Sequence, residues 1–303
     1  MPSMRSHLLK FFMKQMLKRN AATNVAERRI GIDNNVRLFR MAKGVTSQKV
    51  NVAGRPAEWI LPPQAITHAV ALYLHGGAYT IGSLDSHRSL VSYIARESGM
   101  RILVLDYRLA PEHPYPAAID DAIQAFDWLQ LTQGLSAAQI IILGDSAGGG
   151  LTLATALRLR DTGQTMPRGL ICLSPWTDLT LTRESISCRL DKDPFFSNTK
   201  ELEQSALSYA GSLPLNHPEL SPVYADHQGL PQTYIQVGED EILLHDSLDL
   251  ADSMLKANVP VEIEVWPDMW HVWHIFCDWM PESRLAIEKI GARMSAMISQ
   301  PTE

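Results

Sequence analysis

Strand-length runs of apolar residues recur along most of the chain, and segments with helical periodicity lie between them. The runs cover residues 69–74, 102–106, 140–143, 170–174, 233–237 and 261–266. Because most of these runs are continuously apolar instead of alternating, we expect strands that are buried on both faces, as in a parallel sheet covered by helices. The sequence therefore predicts an α/β fold.

Helices are predicted between these runs, and a β-hairpin is predicted before the first of them. Apolar residues recur at helical spacing in residues 86–97, 117–131, 147–160 and 246–257. Two shorter β-rich runs, 45–52 and 58–61, flank Ala53-Gly54 and are typical of an antiparallel hairpin. We expect a mostly parallel central sheet with helices on both faces, preceded by this hairpin.

Two long stretches do not follow the alternation of strands and helices. Residues 182–222 contain a helical segment at 199–210 but no convincing strand, so we expect a cap inserted over the sheet. At the N-terminus, a predicted helix has an apolar stripe on one side and lysines on the other. The stripe comprises Leu8, Leu9, Phe12, Met13 and Met16, and the lysines are Lys10, Lys14 and Lys18. We interpret it as a helix packed on its own protein; the alternative is a membrane-surface anchor. The expected organisation is an N-terminal cap segment at 1–44 and a catalytic domain at 45–303, and both stretches should form one lid over a small pocket.

Charge and cysteine content exclude several classes of function. With 27 Lys+Arg against 33 Asp+Glu, the net charge is −6, which offers no basic field for nucleic acid. The three cysteines form no C-x-x-C pair, which argues against a disulfide framework or a zinc site and favours a reducing compartment. No apolar run approaches the roughly 20 residues of a membrane span, and no signal peptide is recognisable. We expect a cytoplasmic protein without stable membrane insertion.

The strongest chemical motif is G-D-S-A-G at residues 144–148, directly after the run 140–143 and before a helix. This is the strand–turn–helix setting of a nucleophile elbow, in which a strained turn exposes a serine hydroxyl. The glycines two residues before and after the serine keep side chains out of the crowded turn. We therefore predict Ser146 as a nucleophile and the backbone N–H of Ala147 as an oxyanion donor.

A second motif, H-G-G-A-Y at residues 75–79, follows the run 69–74. Alone it would be an ordinary turn, but its position before an elbow is that of an oxyanion loop, whose glycines bring backbone N–H groups close to a substrate. We predict Gly76 and Gly77 as further oxyanion donors. We also expect Ala78, Tyr79 and Asp145 to contact the substrate, with Ala78 and Tyr79 narrowing the pocket.

These motifs together resemble the hormone-sensitive-lipase family of esterases, in the branch whose elbow reads G-D-S-A-G. Further matches are Y-R-L-A-P-E at 107–112 with P-A-A at 116–118, S-P-W-T-D-L at 174–179 and G-E-D-E-I-L at 238–243. The chain departs from the family's H-G-G-G at Ala78. The resemblance implies the α/β-hydrolase fold with a helical cap and a triad in the chain order serine, acid, histidine.

The acid of that triad should follow a late strand. Asp240 lies three residues after Val237, within the family's G-x-D pattern, and is the predicted acid. Its rivals are Glu239 and Asp246; Glu239 should point elsewhere if Asp240 points inward, and Asp246 is typical of the first turn of a helix.

The base should follow the last strand, where His271 and His274 are both available. The family places an aromatic residue two positions after its histidine, which Trp273 supplies if His271 is the base. A metal site at the pair is disfavoured because no carboxylate or cysteine lies at ligand spacing. We predict His271, and no metal or organic cofactor.

The resemblance implies a serine carboxylesterase that acts on small-molecule esters through an acyl-enzyme. We expect short to medium acyl chains. The alternatives are a lactone hydrolase with the same triad and a non-catalytic ligand-binding protein on the same fold, which typically lacks the base. A homodimer is compatible with the sequence.

Overall fold

The computed structural model describes residues 2–17, 24–196 and 198–299. Its strands form one sheet in the order β1-β2-β4-β3-β5-β6-β7-β8. β1–β2 and β2–β4 pair antiparallel, and every other neighbouring pair is parallel. The strands are β1 Thr46–Val52, β2 Arg55–Leu61, β3 Ile66–Leu74, β4 Met100–Leu105, β5 Ile140–Asp145, β6 Gly169–Leu173, β7 Thr233–Gly238 and β8 Val261–Trp266. The expected mostly parallel sheet is confirmed.

Helices cover both faces of this sheet. In β3, Val70, Leu72 and Leu74 share one core with α4, α5 and α8, whereas Ala71 and Tyr73 face the second core with α3 and α9. The described helices are α1 Met4–Leu17, α2 Val25–Asn35, α3 Leu84–Ser98, α4 Ala117–Leu131, α5 Ala147–Asp161, α6 Glu184–Cys188, α7 Lys200–Ala210, α8 Leu244–Lys256 and α9 Pro281–Ser299. Because alternate residues of β3 enter different cores, its sequence is apolar without a break.

The N-terminal helix packs on the protein through only part of its apolar stripe. Leu9 and Met13 pack into a cluster with Phe195, whereas Leu8 and Phe12 remain 54% and 59% exposed. The expectation that the stripe is buried is thus wrong for Leu8 and Phe12. The side chain of Met16, and Lys18, lie outside the described residues.

Within the described ranges, no helix is both long and apolar enough to cross a membrane. The insertion expected at 182–222 contains α6, α7 and irregular chain, and its loop at 189–196 lies against the ends of β7 and β8. That contact brings the insertion to the carboxyl edge of the parallel strands, where ligand sites of open α/β sheets form.

Candidate active site

The turn between β5 and α5 holds Ser146 in a strained conformation, with φ 53° and ψ −122°. A Cβ atom at Gly144 would collide with the backbone of Gly148, and one at Gly148 would collide with the carbonyl of Leu74. Only glycine fits at both positions, which is the physical reason for the G-x-S-x-G spacing. The turn leaves Ser146 partly accessible while its neighbours in the chain are buried.

The loop after β8 brings His271 to the serine. Its Nε2 lies 2.9 Å from Ser146 Oγ, within hydrogen-bond distance. His274 lies elsewhere: its Nε2 contacts Gln236 Oε1 at 2.9 Å, and burial lowers its pKa to about 3. The histidine beside the nucleophile is therefore His271, and His274 is a buried structural residue.

Glu241 places its carboxylate next to the other imidazole nitrogen of His271, Nδ1. Its Oε1 lies 3.7 Å from His271 Nδ1, and neither atom has a hydrogen-bond partner among the described residues. The other oxygen, Oε2, accepts hydrogen bonds from Ser174 Oγ at 2.7 Å and from the backbone N–H of Gly238 at 2.9 Å. These two bonds aim Oε1 at the histidine, and catalytic hydrogen bonds are often longer without substrate.

Asp240, the acid expected from the sequence, points away from this site. Its Oδ2 accepts a hydrogen bond from Lys10 Nζ at 2.6 Å, and its Oδ1 faces Lys192 at 3.4 Å and Arg189 at 3.6 Å. Asp240 and Glu241 lie in the turn after β7, where Lys10 binds the first carboxylate and Ser174 and Gly238 bind the second. The geometry contradicts the prediction of Asp240, and we correct the candidate acid to Glu241.

The electrostatics of His271 agree with this correction. Burial lowers the pKa of the imidazole, but the negative charge of the facing Glu241, with smaller effects of Asp193 and Asp145, raises it more, so the pKa lies above its ordinary value. A carboxylate that favours the imidazolium in this way is what a catalytic base requires when it takes a proton from serine.

In the oxyanion loop, the prediction that Gly76 is an oxyanion donor is wrong. The backbone N–H of Gly76 donates to Asp145 Oδ1 at 3.0 Å and is therefore not free for a substrate. Among the described residues, the N–H groups of Gly77 and Ala78 have no acceptor, and both residues have positive φ, 121° and 52°. With Ala147 at the start of α5, the available donors are Gly77, Ala78 and Ala147.

Asp145, expected to contact substrate, instead lies behind the elbow. Besides Gly76, its carboxylate accepts from Tyr73 Oη at 2.6 Å and faces His87 Nε2 at 3.3 Å. Burial favours the neutral acid, but His87 and these hydrogen bonds outweigh it and lower the pKa of Asp145 to about 2. Because the side chain is buried, the predicted substrate contact is wrong; Asp145 instead holds the oxyanion loop against the elbow.

Aromatic residues lie next to the oxyanion loop and next to the base. Tyr79, which follows Ala78 in the oxyanion loop, is buried and stacks on Tyr209 of α7 with ring centroids 3.7 Å apart, so it offers no open surface for the expected substrate contact. Phe196 and Phe195 have ring centroids 5.3 and 6.4 Å from that of His271. Both lie within the cap expected at 182–222, but their contact with His271 was not predicted.

Asp193 anchors that aromatic loop. Its carboxylate is buried and accepts from the N–H of Phe195 at 3.1 Å and from the N–H of Ile242 at 3.4 Å. Burial raises the pKa of Asp193 to about 7, against the opposing effect of His271. The loop that carries Phe195 is thereby bonded to the residue that follows Glu241.

Known proteins are similar to this chain over most of its length. The model of a family with the α/β-hydrolase fold matches residues 71–275. An acetyl-hydrolase from Streptomyces hygroscopicus is 40% identical over 268 residues, covering 88% of this chain and 89% of that protein. An esterase from Acinetobacter venetianus is 37% identical over 285 residues, covering 94% and 92%.

Solved structures that are similar to this chain are also those of esterases. The crystal structure of an esterase from the bacterial hormone-sensitive lipase family superposes with a TM-score of 0.94 at 38% identity, covering 99% of this chain and 100% of that chain. The esterase EstE5, from a crystal soaked with p-nitrophenyl butyrate, gives a TM-score of 0.92 at 38% identity, covering 98% and 100%. The chain therefore belongs to the α/β-hydrolase fold family and, within it, to the bacterial hormone-sensitive lipase family of esterases.

Proposed function

We propose that this ester hydrolase cleaves carboxylic esters of small acyl groups through an acyl-enzyme on Ser146. His271 is the general base and Glu241 the acid that orients it. The observation that carries the proposal is the 2.9 Å contact between His271 Nε2 and the hydroxyl of Ser146, which the strained turn exposes. This pairing of nucleophile and base, with a third group behind the base, activates a serine.

The chemistry follows from the positions of these groups. The Ser146 hydroxyl attacks the ester carbonyl while its proton passes to Nε2 of neutral His271, and Glu241 stabilises the resulting imidazolium. The N–H groups of Gly77, Ala78 and Ala147 stabilise the oxyanion, each with about 3 kcal/mol. His271 then protonates the leaving alcohol, and water attacks the acyl-enzyme by the same proton route.

Three observations support a small acyl group. The rings of Phe195 and Phe196 lie against His271, and Tyr79, next to Ala78 in the oxyanion loop, is held in place by stacking on Tyr209. Ala78 adds a methyl group beside the oxyanion donors, where the family commonly has glycine. The relative named an acetyl-hydrolase, together with the EstE5 crystal soaked in a butyrate ester, agrees with this preference.

The experiment compares the acetate, butyrate and dodecanoate esters of p-nitrophenol. We expect kcat/KM to fall sharply for dodecanoate, since a closed pocket rejects each excess methylene at about 1–3 kcal/mol. Ser146→Ala should lower kcat about 10⁵- to 10⁶-fold. Ser187→Ala, at an exposed serine on α6, is the matched control and should behave as the wild type. Equal rates on all three esters would refute the small acyl pocket, and an active Ser146→Ala enzyme would refute the mechanism.

A further inference from the structure

Lys10 of α1 reaches into the neighbourhood of the triad. Its ammonium donates to Asp240 Oδ2 at 2.6 Å and to the backbone carbonyl of Asp268 at 3.2 Å, and it lies 5.8 Å from the centroid of the Trp270 ring. Only 17% of the Lys10 side chain and 11% of the Asp240 side chain are exposed. An ion pair this shielded is screened less by solvent and salt than a pair on the open surface.

These partners belong to the two loops that carry the base and its acid. Asp240 immediately precedes Glu241, whereas Asp268 and Trp270 lie three residues and one residue before His271. The loops also meet directly, since the N–H of Asp240 donates to the carbonyl of Met269 at 2.9 Å. The Lys10 ammonium therefore bridges the two loops, whose contact sets the relative position of Glu241 and His271.

The relative position of these loops matters because Glu241 Oε1 and His271 Nδ1 are 3.7 Å apart. A good N–H···O hydrogen bond needs about 2.7–3.2 Å, so a shift of roughly half an ångström decides whether the bond forms. Misplacing a catalytic group by about 1 Å can cost about 10²-fold in rate.

We propose that Lys10 is a positioning residue for the reaction: it holds the loops of Glu241 and His271 in register, so that helix α1 completes the active site. The inference rests on the proposed function, since it presumes that Glu241 orients His271. Lys192 and Arg189 add charge around Asp240 at 3.4 and 3.6 Å, but both approach Oδ1, while Lys10 alone binds Oδ2 among the described cations.

The docking of α1 does not depend on Lys10 alone. Leu9 and Met13 pack against a buried cluster that includes Trp273 and Phe276, and the backbone N–H of Ser3 donates to Glu282. One turn along the helix, Lys14 donates to the carbonyl of Asp191 in the cap. Lys14 therefore has the same side chain on the same helix without a contact to either catalytic loop, and it serves as the control.

The test compares Lys10→Met, Lys14→Met and Lys10→Arg with the wild type on p-nitrophenyl acetate. For Lys10→Met we expect kcat to fall about tenfold with KM within about twofold. Because Glu241 raises the pKa of His271, a looser contact should also move the acid limb of kcat/KM to lower pH. Lys14→Met should leave both quantities near the wild type, and Lys10→Arg should restore most of kcat.

If Lys10 contributes only to stability, the melting temperature of Lys10→Met falls while kcat and the pH profile of the folded enzyme stay unchanged. That result would overturn the inference. An equal loss in Lys14→Met would overturn it too. If Lys10→Met does not fold, Asp240→Ala removes the same contact from the other side, and wild-type kcat in that variant would equally overturn the inference. A wild-type protein without esterase activity would refute the proposed function instead, so the two failures are distinguishable.

Discussion

Replacing Glu241 with glutamine tests the corrected acid without changing its size. In the wild type, Glu241 Oε2 accepts from Ser174 and Gly238, which leaves Oε1 facing His271 Nδ1. In Glu241→Gln the remaining amide oxygen must serve those two donors, so the NH₂ group turns toward Nδ1. An amide donor there favours the tautomer with the proton on Nε2, and that imidazole cannot take the proton of Ser146.

The size of the effect follows from this tautomer. When an amide replaces the acid of a serine triad, the histidine adopts the wrong tautomer and kcat falls about 10⁴-fold, equivalent to about 5 kcal/mol. The 3.7 Å separation is longer than that of a tight hydrogen bond, so we expect a loss of about 10³- to 10⁴-fold for Glu241→Gln.

The assay is steady-state hydrolysis of p-nitrophenyl acetate, with Asp240→Asn as the matched control. Asp240→Asn should cost no more than about tenfold, because it weakens the link to Lys10 but keeps Glu241 as the carboxylate that faces His271. If Asp240→Asn loses about 10⁴-fold and Glu241→Gln stays nearly active, the acid has been misassigned and the reasoning from the ion pairs of Asp240 fails.

Three other side chains around the triad carry further predictions. His274→Ala should lower kcat at most tens-fold, because its imidazole bonds to Gln236 and not to the nucleophile; a loss as large as that of His271→Ala in the same assay would contradict this. Asp145→Asn should lower kcat about 10- to 10²-fold, since the loop that aims two oxyanion donors loses its charged anchor; wild-type kcat on p-nitrophenyl acetate would contradict it. The carboxyl of Asp193, whose pKa burial raises from 3.8 to about 7, makes the wild type less stable as pH rises through that range. The melting temperature of Asp193→Asn relative to the wild type should therefore increase between pH 5 and pH 8; a constant or decreasing difference would contradict the raised pKa.

The features that were predictable from the sequence depend on neighbours in the chain. The glycines at 144 and 148 are required by backbone contacts within one turn and with Leu74, so the position of Ser146 follows from a short motif. The central strands β5 and β6 were predictable because burial on both faces makes their sequences almost continuously apolar. Helices α2, α6 and α9 were not assigned.

The features that were not predictable depend on contacts between distant segments. Asp240 and Glu241 are adjacent carboxylates whose partners lie far away in the chain: Asp240 binds Lys10, 230 residues away, and Glu241 binds Ser174, 67 residues away. The N–H of Gly76 is taken by Asp145, 69 residues further along the chain. Phe195 reaches His271 because Asp193 bonds to the backbone of the acid loop. A single sequence does not record such pairings.

The central claim is that Ser146 is activated by His271 and Glu241, and covalent labelling tests it most directly. The protein is incubated with diethyl p-nitrophenyl phosphate, and the modified residue is identified by intact mass and peptide mapping. We expect one diethylphosphoryl group per chain, on Ser146, formed about 10³-fold more slowly in Glu241→Gln and within about tenfold of the wild-type rate in Asp240→Asn. A label on any other residue, or a wild-type labelling rate in Glu241→Gln, would contradict the account.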